Sequence, residues 1–324
     1  MPKIFLSSDA QFSSEVGESI LAASRRANIA IEHSCKNGKC GVCIAPVLSG
    51  ETEVLRTEEF LETHEFSGNH ILTCCRSAIT DLVLDVRDLG EIGNIPTLTL
   101  PCRIDSLDRL HDDVINLTLR LPPGSELKFM AGQYIDLIYN GIRRSYSIAN
   151  AFRPDGKLEL HVKRVEGGVM SEYLFSQAAV NDLLRLEGPL GTFSYREDDS
   201  ENLVFLATGT GIAPIKAILE SFKSLDITSD IYVIWGGRLK NDLYLDLSIP
   251  GTPFIFVSAV SREDRDDCFR GYVQNAVLGL GLDLKKTTVY ACGSDLMIRD
   301  ANELLISNGL ASKRFYSDAF VSSN

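Results

Sequence analysis

Three cysteines in one short loop constrain this chain more than anything else in it. Cys35, Cys40 and Cys43 are spaced Cys-x4-Cys-x2-Cys within HSCKNGKCGVC, and ILTCCRS adds Cys74 and Cys75 about thirty residues on. Zinc prefers two paired Cys-x2-Cys units, and only one such pair stands here. The observed spacing, with one distant cysteine, is that of a 2Fe–2S cluster, whose two irons need four thiolates. Gly38 and Gly41 let the loop bend and let backbone N–H groups point at the sulfurs. Spacing alone leaves the fourth ligand open between Cys74 and Cys75. On a strand their side chains would point to opposite faces. Cys102, Cys268 and His33 read as packing, as does His161 taken alone.

With 324 residues the chain has room for two or three domains. No stretch approaches the ~20 apolar residues of a membrane span. The start, MPKIFLSSDAQF, lacks the basic and apolar regions of a signal peptide. A cytoplasmic, reducing location is therefore expected, where eight cysteines point to metal binding or packing, not to disulfides. The net charge of −12 argues against nucleic acid or anionic membrane as a partner. An acidic surface would suit a basic protein partner.

Two stretches read as boundaries. DLGEIGNIPTLTLP (Asp88 to Pro101) mixes Gly and Pro after the alternating run DLVLDV, and YREDDSEN (Tyr195 to Asn202) is a charged loop. Domains over 1–90, 98–197 and 200–324 follow. The first opens with a strand near Ile4 to Leu6 and a helical pattern over Glu18 to Ala27. The second is a series of short strands (INLTLRL, QYIDLIY, RRSYSIA, KLELHVKRV, LLRLEGP), which predicts an antiparallel barrel or sandwich. The third alternates strands (LVFLAT, IYVIWGG, FIFVSAV, TVYACG) with helical segments, which predicts a parallel α/β sheet.

The first segment resembles plant-type ferredoxins, which have a β-grasp fold. In that frame Leu72-Thr73-Cys74, with Asp81 seven residues later, implies Cys74 as the fourth ligand. The second segment resembles the ferredoxin–NADP⁺ reductase family. Arg144-Ser145-Tyr146-Ser147 after Gly132-Gln133-Tyr134 matches its flavin motif. An Arg is a fixed cation for the FAD pyrophosphate, a Tyr ring packs on the isoalloxazine, and a Ser hydroxyl meets its polar edge. Alternation places Arg144 and Tyr146 on one face, with Ser147 reaching in from the strand's end. The resemblance adds His161 and Lys163 of HVKRV, and Gly168, Val169, Met170 and Ser171 of GGVMS. These last would open a helix whose N–H groups meet phosphate.

In the third segment the run Thr208-Gly209-Thr210-Gly211-Ile212-Ala213-Pro214 follows an apolar strand, with a helix from about Ile215. Its glycines permit close approach to a pyrophosphate. The reductase resemblance implies that Gly209, Thr210, Gly211 and Pro214 line a nicotinamide site, and that Cys292, beside Gly293, stands at the hydride-transfer position. It also implies that Phe320 covers the flavin, with Asp318 where the family more often has glutamate. Arg238 could pair a 2′-phosphate. Its neighbours are glycine and leucine, and Asp242 is near, so NADH is expected over NADPH.

Hydride carries two electrons and a 2Fe–2S cluster accepts one, a mismatch that a flavin reconciles. The implied order is NADH, FAD, cluster, partner. Reductase components of oxygenases share this domain order. GQYIDLIYNGIRRSYSIAN, YACGSDLMI and FYSDAF are more similar to the CDP-6-deoxy-Δ3,4-glucoseen reductases of 3,6-dideoxyhexose synthesis. That resemblance implies a pyridoxamine-phosphate-dependent CDP-sugar 3-dehydrase as electron acceptor, with an oxygenase component as the alternative.

Overall fold

The computed structural model describes residues 1–63 and 68–320. The chain divides into two compact units, 1–96 and 97–324.

The first unit holds β1 (Lys3–Leu6), β2 (Gln11–Ser13), α1 (Ile20–Arg26), β3 (Ile44–Ser49), β4 (Thr52–Val54), α2 (Glu59–Glu62), β5 (His70–Leu72), β6 (Arg76–Ala78) and β7 (Leu82–Leu84). Five strands form a mixed sheet in the order β2-β1-β7-β3-β5, with β1 and β7 parallel. Helix α1 starts where the Ser19 hydroxyl accepts the Ala22 N–H at 3.2 Å, the role of an N-cap. Its buried Ile20, Leu21 and Ala23 meet the inward residues Ile4, Leu6, Leu82 and Leu84 of the sheet. β4 and β6 pair separately.

The second unit opens with β8 (Leu98–His111), β9 (Val114–Arg120), β10 (Tyr134–Tyr139), β11 (Ile142–Ser147), β12 (Leu158–Lys163), α3 (Val169–Ser176) and β13 (Leu183–Leu190). The strands form an antiparallel sheet in the order β11-β10-β13-β8-β9-β12. An antiparallel bridge between Ile148 and Leu160 joins its two edges, so the sheet closes into a barrel. Closure removes unpaired edges and leaves an apolar interior built from Leu117, Ile135, Leu137, Leu160 and Leu186. The expected boundary over Asp88 to Pro101 contains structure: a 3₁₀ turn at Gly90–Asn94 and, from Leu98, the first residues of β8.

Next come β14 (Asn202–Thr208), α4 (Ile212–Ser221), β15 (Asp230–Gly237), β16 (Ile255–Val260), β17 (Phe269–Arg270), α5 (Val273–Gly279), β18 (Thr287–Ser294), α6 (Asp295–Ser307) and β19 (Phe315–Phe320). All six strands run parallel in the order β17-β16-β15-β14-β18-β19. The order reverses between β14 and β18, and ligands bind such sheets at that switch point, beyond the carboxyl ends of the strands. Alternate residues Leu203, Phe205 and Ala207 bury one face of β14 with α4.

One expectation changes. Helix α4 begins at Ile212, three residues before the expected start, because Pro214 is tolerated in a first turn, where its missing N–H has no partner to lose. The charged stretch from Tyr195 is a loop up to the start of β14, as expected, and its first residues are anchored. Tyr195 packs edge-on to Phe222 at 4.8 Å, the Arg196 N–H donates to Tyr290 Oη at 3.0 Å, and its guanidinium lies 4.2 Å over the Tyr316 ring. Among the described residues no helix is long and apolar enough to cross a membrane.

Candidate functional site

The cysteine loop is shaped by backbone, as its glycines foretell. Gly38 and Gly41 have φ of +85° and +72°. A Cβ on Gly38 would press on the Thr57 carbonyl, and one on Gly41 would enter the Phe60 ring. Cys35 and Cys40 are hydrogen-bonded to each other, and the Cys43 and Cys74 sulfurs lie 3.4 Å apart. Among the described residues no three His, Cys, Asp or Glu side chains converge on a single-ion site. The thiols are grouped two and two instead, which is the donor set a two-iron centre needs. Backbone N–H groups of Asn37, Lys39 and Cys40 reach Cys35 Sγ, and that of Gly38 reaches Cys74 Sγ. The Cys74 thiol is held well below the usual range, first by Cys43, then by Cys75. The backbone N–H contacts are of the kind that stabilise cluster thiolates.

Cys74 and Cys75 sit in a turn between β5 and β6, not on a strand, so alternation does not separate them. Their sulfurs are 3.5 Å apart. They differ in partners: Cys75 Sγ lies 3.6 Å from the Thr57 carbonyl, behind Gly38, whereas Cys74 faces Cys43. Cys102 and His33 are buried, as expected of packing residues. Cys268 is half-exposed in a loop and is not a core residue.

In the flavin motif the two faces of β11 are used differently. Outward, Arg143 is held by Asp136 at 3.0 Å and Glu187 at 2.9 Å, and the Ser145 hydroxyl donates to Asp136 at 2.6 Å. On the other face the Arg144 guanidinium donates to the Arg143 carbonyl at 2.8 Å, and among the described residues no carboxylate pairs with it. Tyr146 shares that face, and burial pushes its phenol up to about 12. Ser147 is buried opposite Tyr134. A free cation beside a ring is the donor set that a flavin pyrophosphate and isoalloxazine need. Gly168 caps α3 without a side-chain bond, leaving first-turn N–H groups available. Ser171 instead turns back, accepting from Val165 N at 3.1 Å and donating to its carbonyl. Val169 is exposed, while Met170 belongs to the barrel core.

The Gly209–Gly211 turn sits at the switch point. Gly209 has φ of +53°, and a Cβ there would meet nothing within 4 Å, so the turn faces open space. Gly211 lies so close to the Cys292 carbonyl that any side chain would collide, and Gly293 abuts Thr208 in the same way. Pro214 is buried. A cleft of about 530 Å³ opens here, lined by Gly209, Thr210, Arg238, Asp242, Gln274 and Phe320, with Lys163 and Tyr244. Asp242 accepts the Arg238 and Leu239 N–H groups at 2.7 and 3.0 Å, which ties the loop after β15. Lys163 pairs with Asp113 at 3.4 Å. Cys292 is fully buried on β18, in register with buried Asp318 on β19, and burial pushes its thiol up.

Two cleft residues escape sequence reasoning. Gln274 is buried in the wall, and its Oε1 has no hydrogen-bond partner among the described residues. Tyr244 Oη lies 2.9 Å from Nδ1 of His161. Neither belongs to a motif read above.

Burial, and then the charge of Lys216, presses His161 down to about 4 from the ordinary 6.5. Between those values the unfolded chain binds a proton that the folded chain refuses. Stability is therefore complete above pH 6.5 and falls as pH drops toward 4, by about 3 kcal/mol for the full shift. Urea midpoints at pH 7 and 4.5 are expected to drop further in the wild type than in His161→Gln. Parallel drops in both proteins would refute this source of acid sensitivity.

Comparison with known proteins follows the same three parts. Residues 4–79 match a 2Fe-2S iron-sulfur cluster binding domain, 101–195 an oxidoreductase FAD-binding domain and 205–303 an oxidoreductase NAD-binding domain. The chain is 42% identical over 317 residues to the CDP-6-deoxy-L-threo-D-glycero-4-hexulose-3-dehydrase reductase of Yersinia pestis, covering 96% of each chain. It is 30% identical to reductase component 1 of a Comamonas terephthalate 1,2-dioxygenase, over 98% of this chain and 96% of that one. Among solved structures it resembles the Amycolatopsis cytochrome P450 reductase GcoB, with a TM-score of 0.76, 27% identity and 99% of each chain covered.

Proposed function

Because this chain belongs to the three-domain iron–sulfur flavoprotein reductases of the ferredoxin–NADP⁺ reductase family, we propose that it draws electrons from NADH and delivers them to a CDP-sugar 3-dehydrase. It is an NAD(P)H-dependent oxidoreductase with cluster-, FAD- and NAD-binding domains. The observation that carries the choice of partner is the greater likeness to the dehydrase reductase than to the dioxygenase component, across the same length of chain.

FAD, when bound, supplies the exchange between a two-electron hydride and a one-electron cluster. The protein's share is binding, orientation and exclusion of water. Arg144 neutralises the pyrophosphate, with α3's first turn, Gly168 to Ser171, beside it. Tyr146 packs on the ring and Ser147 supports its edge. Lys163 lines the nucleotide cleft, and His161, buried on the same strand, supports Tyr244 of its wall. Gly209, Thr210 and Gly211 bring backbone against the nicotinamide nucleotide, and Pro214 starts the helix behind them. Gly293, Cys292 and Asp318 form the floor under that turn, and Phe320 lines the cleft at the end of β19. Cys35, Cys40, Cys43 and Cys74 hold the irons.

The preference for NADH has support in the cleft's charge. Asp242 and Asp300 line it, and Arg238, the available cation after β15, lies 3.9 Å from Asp242. A 2′-phosphate would meet carboxylates there.

The test is anaerobic, NADH-driven turnover with a purified pyridoxamine-phosphate-dependent CDP-sugar 3-dehydrase and its substrate. A 3-deoxy sugar product supports the reading. Rapid cytochrome c reduction without sugar product would move the partner to an oxygenase component, whose reductases share this architecture.

A further inference from the structure

The loop that follows β15, residues 238–244, is tied twice to the flavin barrel. Tyr244 Oη lies 2.9 Å from His161 Nδ1 on β12. Three positions earlier, Asn241 Nδ2 lies 3.1 Å from His111 Nε2 at the end of β8. Behind the loop, Tyr244 meets Trp235 edge-on at 5.0 Å, and the Trp235 indole N–H donates to the Gly209 carbonyl at 3.0 Å. One phenol thus touches a barrel strand on one side and, through a single indole, the nucleotide turn on the other. Tyr244 and Gly209 also border the same cleft.

We propose that Tyr244 is a positioning residue for hydride transfer, holding the nucleotide turn in register with strand β12 of the flavin barrel. This rests on the reading that the cleft takes a nicotinamide nucleotide. A phenylalanine would fill the same space against Trp235. The hydroxyl is what reaches across to the barrel, so its contribution is geometric rather than apolar. Small misplacements of reacting groups cost rate more than affinity. Removing the hydroxyl also leaves a buried imidazole nitrogen without its partner, which loosens the wall it belongs to.

Tyr244→Phe isolates the hydroxyl. Anaerobic stopped-flow reduction of the FAD-loaded protein by NADH is expected to show a limiting rate about tenfold lower, with the NADH dissociation constant within about threefold of the wild type. The primary deuterium isotope effect with 4-deuterated NADH should be at least as large as in the wild type, since the hydride step is the one slowed. Flavin content should stay close to wild type, with a melting temperature lower by no more than a few degrees. His161→Gln attacks the same bond from the barrel side and keeps the test open should one variant fold poorly. If both act through one bond, the double variant is no slower than the slower single one.

A limiting rate within twofold of wild type in Tyr244→Phe overturns the proposal, as does a defect confined to the dissociation constant, or strict additivity in the double variant. A wild-type protein whose flavin NADH does not reduce overturns the nicotinamide reading and this proposal together. Rapid wild-type reduction with an unaffected variant overturns this proposal alone.

Discussion

Cys74→Ser protein is expected to lose the visible absorbance and the iron of the cluster, whereas Cys75→Ser keeps both. The two thiols are adjacent and their sulfurs are only 3.5 Å apart, so position alone does not choose between them. Their partners do. Cys74 lies 3.4 Å from Cys43 and receives the Gly38 N–H, while Cys75 is turned to the Thr57 carbonyl. Cys35, Cys40, Cys43 and Cys74 would hold the two irons, and removing any one of these thiols would leave the donor set incomplete. Cys40→Ser should therefore match Cys74→Ser. Flavin reduction by NADH should stay within about twofold in all of them, because the flavin and nucleotide sites sit in a unit with its own cores. Iron content per chain and visible absorbance decide the matter. Retention of the cluster in Cys74→Ser with its loss in Cys75→Ser would reverse the assignment.

The second large effect is expected at Arg144. Arg144→Ala should weaken FAD retention about ten- to a hundredfold, the worth of a charge-assisted contact to phosphate. Arg143→Ala, one residue away, should leave FAD binding nearly unchanged and lower stability instead. The reason is on the strand: Arg143 is already engaged by Asp136 and Glu187, and Arg144 is not. Equilibrium dialysis of FAD against the two variants separates them. Equal retention in both would remove Arg144 from the pyrophosphate site.

Much of this arrangement is legible in the chain because it depends on local geometry. The cysteine loop needs glycines at positive φ and short spacings, and both are written in consecutive residues. The same holds for the turn after β14, where Gly211 has no space for a Cβ. What sequence reasoning misses is set by distant contacts. Tyr244 meets His161 across 83 positions, and Arg196 meets Tyr290 across 94. A charged run such as YREDDSEN reads as a loop, and the rings that receive Tyr195 and Arg196 lie far from it in sequence. The turn holding Cys74 and Cys75 reads as strand because its flanks are β5 and β6. In it the Cys75 N–H donates to the Leu72 carbonyl at 2.8 Å, a local bond that no residue type announces.

Trp235 has a use of its own. It is the only tryptophan in the chain, it has no exposed surface, and its indole N–H is bound to the Gly209 carbonyl, in the turn that borders the cleft. The protein therefore carries one indole, and it lies against the turn that borders the cleft. Its emission should respond to nucleotide without any label. The first unit contributes no tryptophan emission, so the signal reports on the second unit alone.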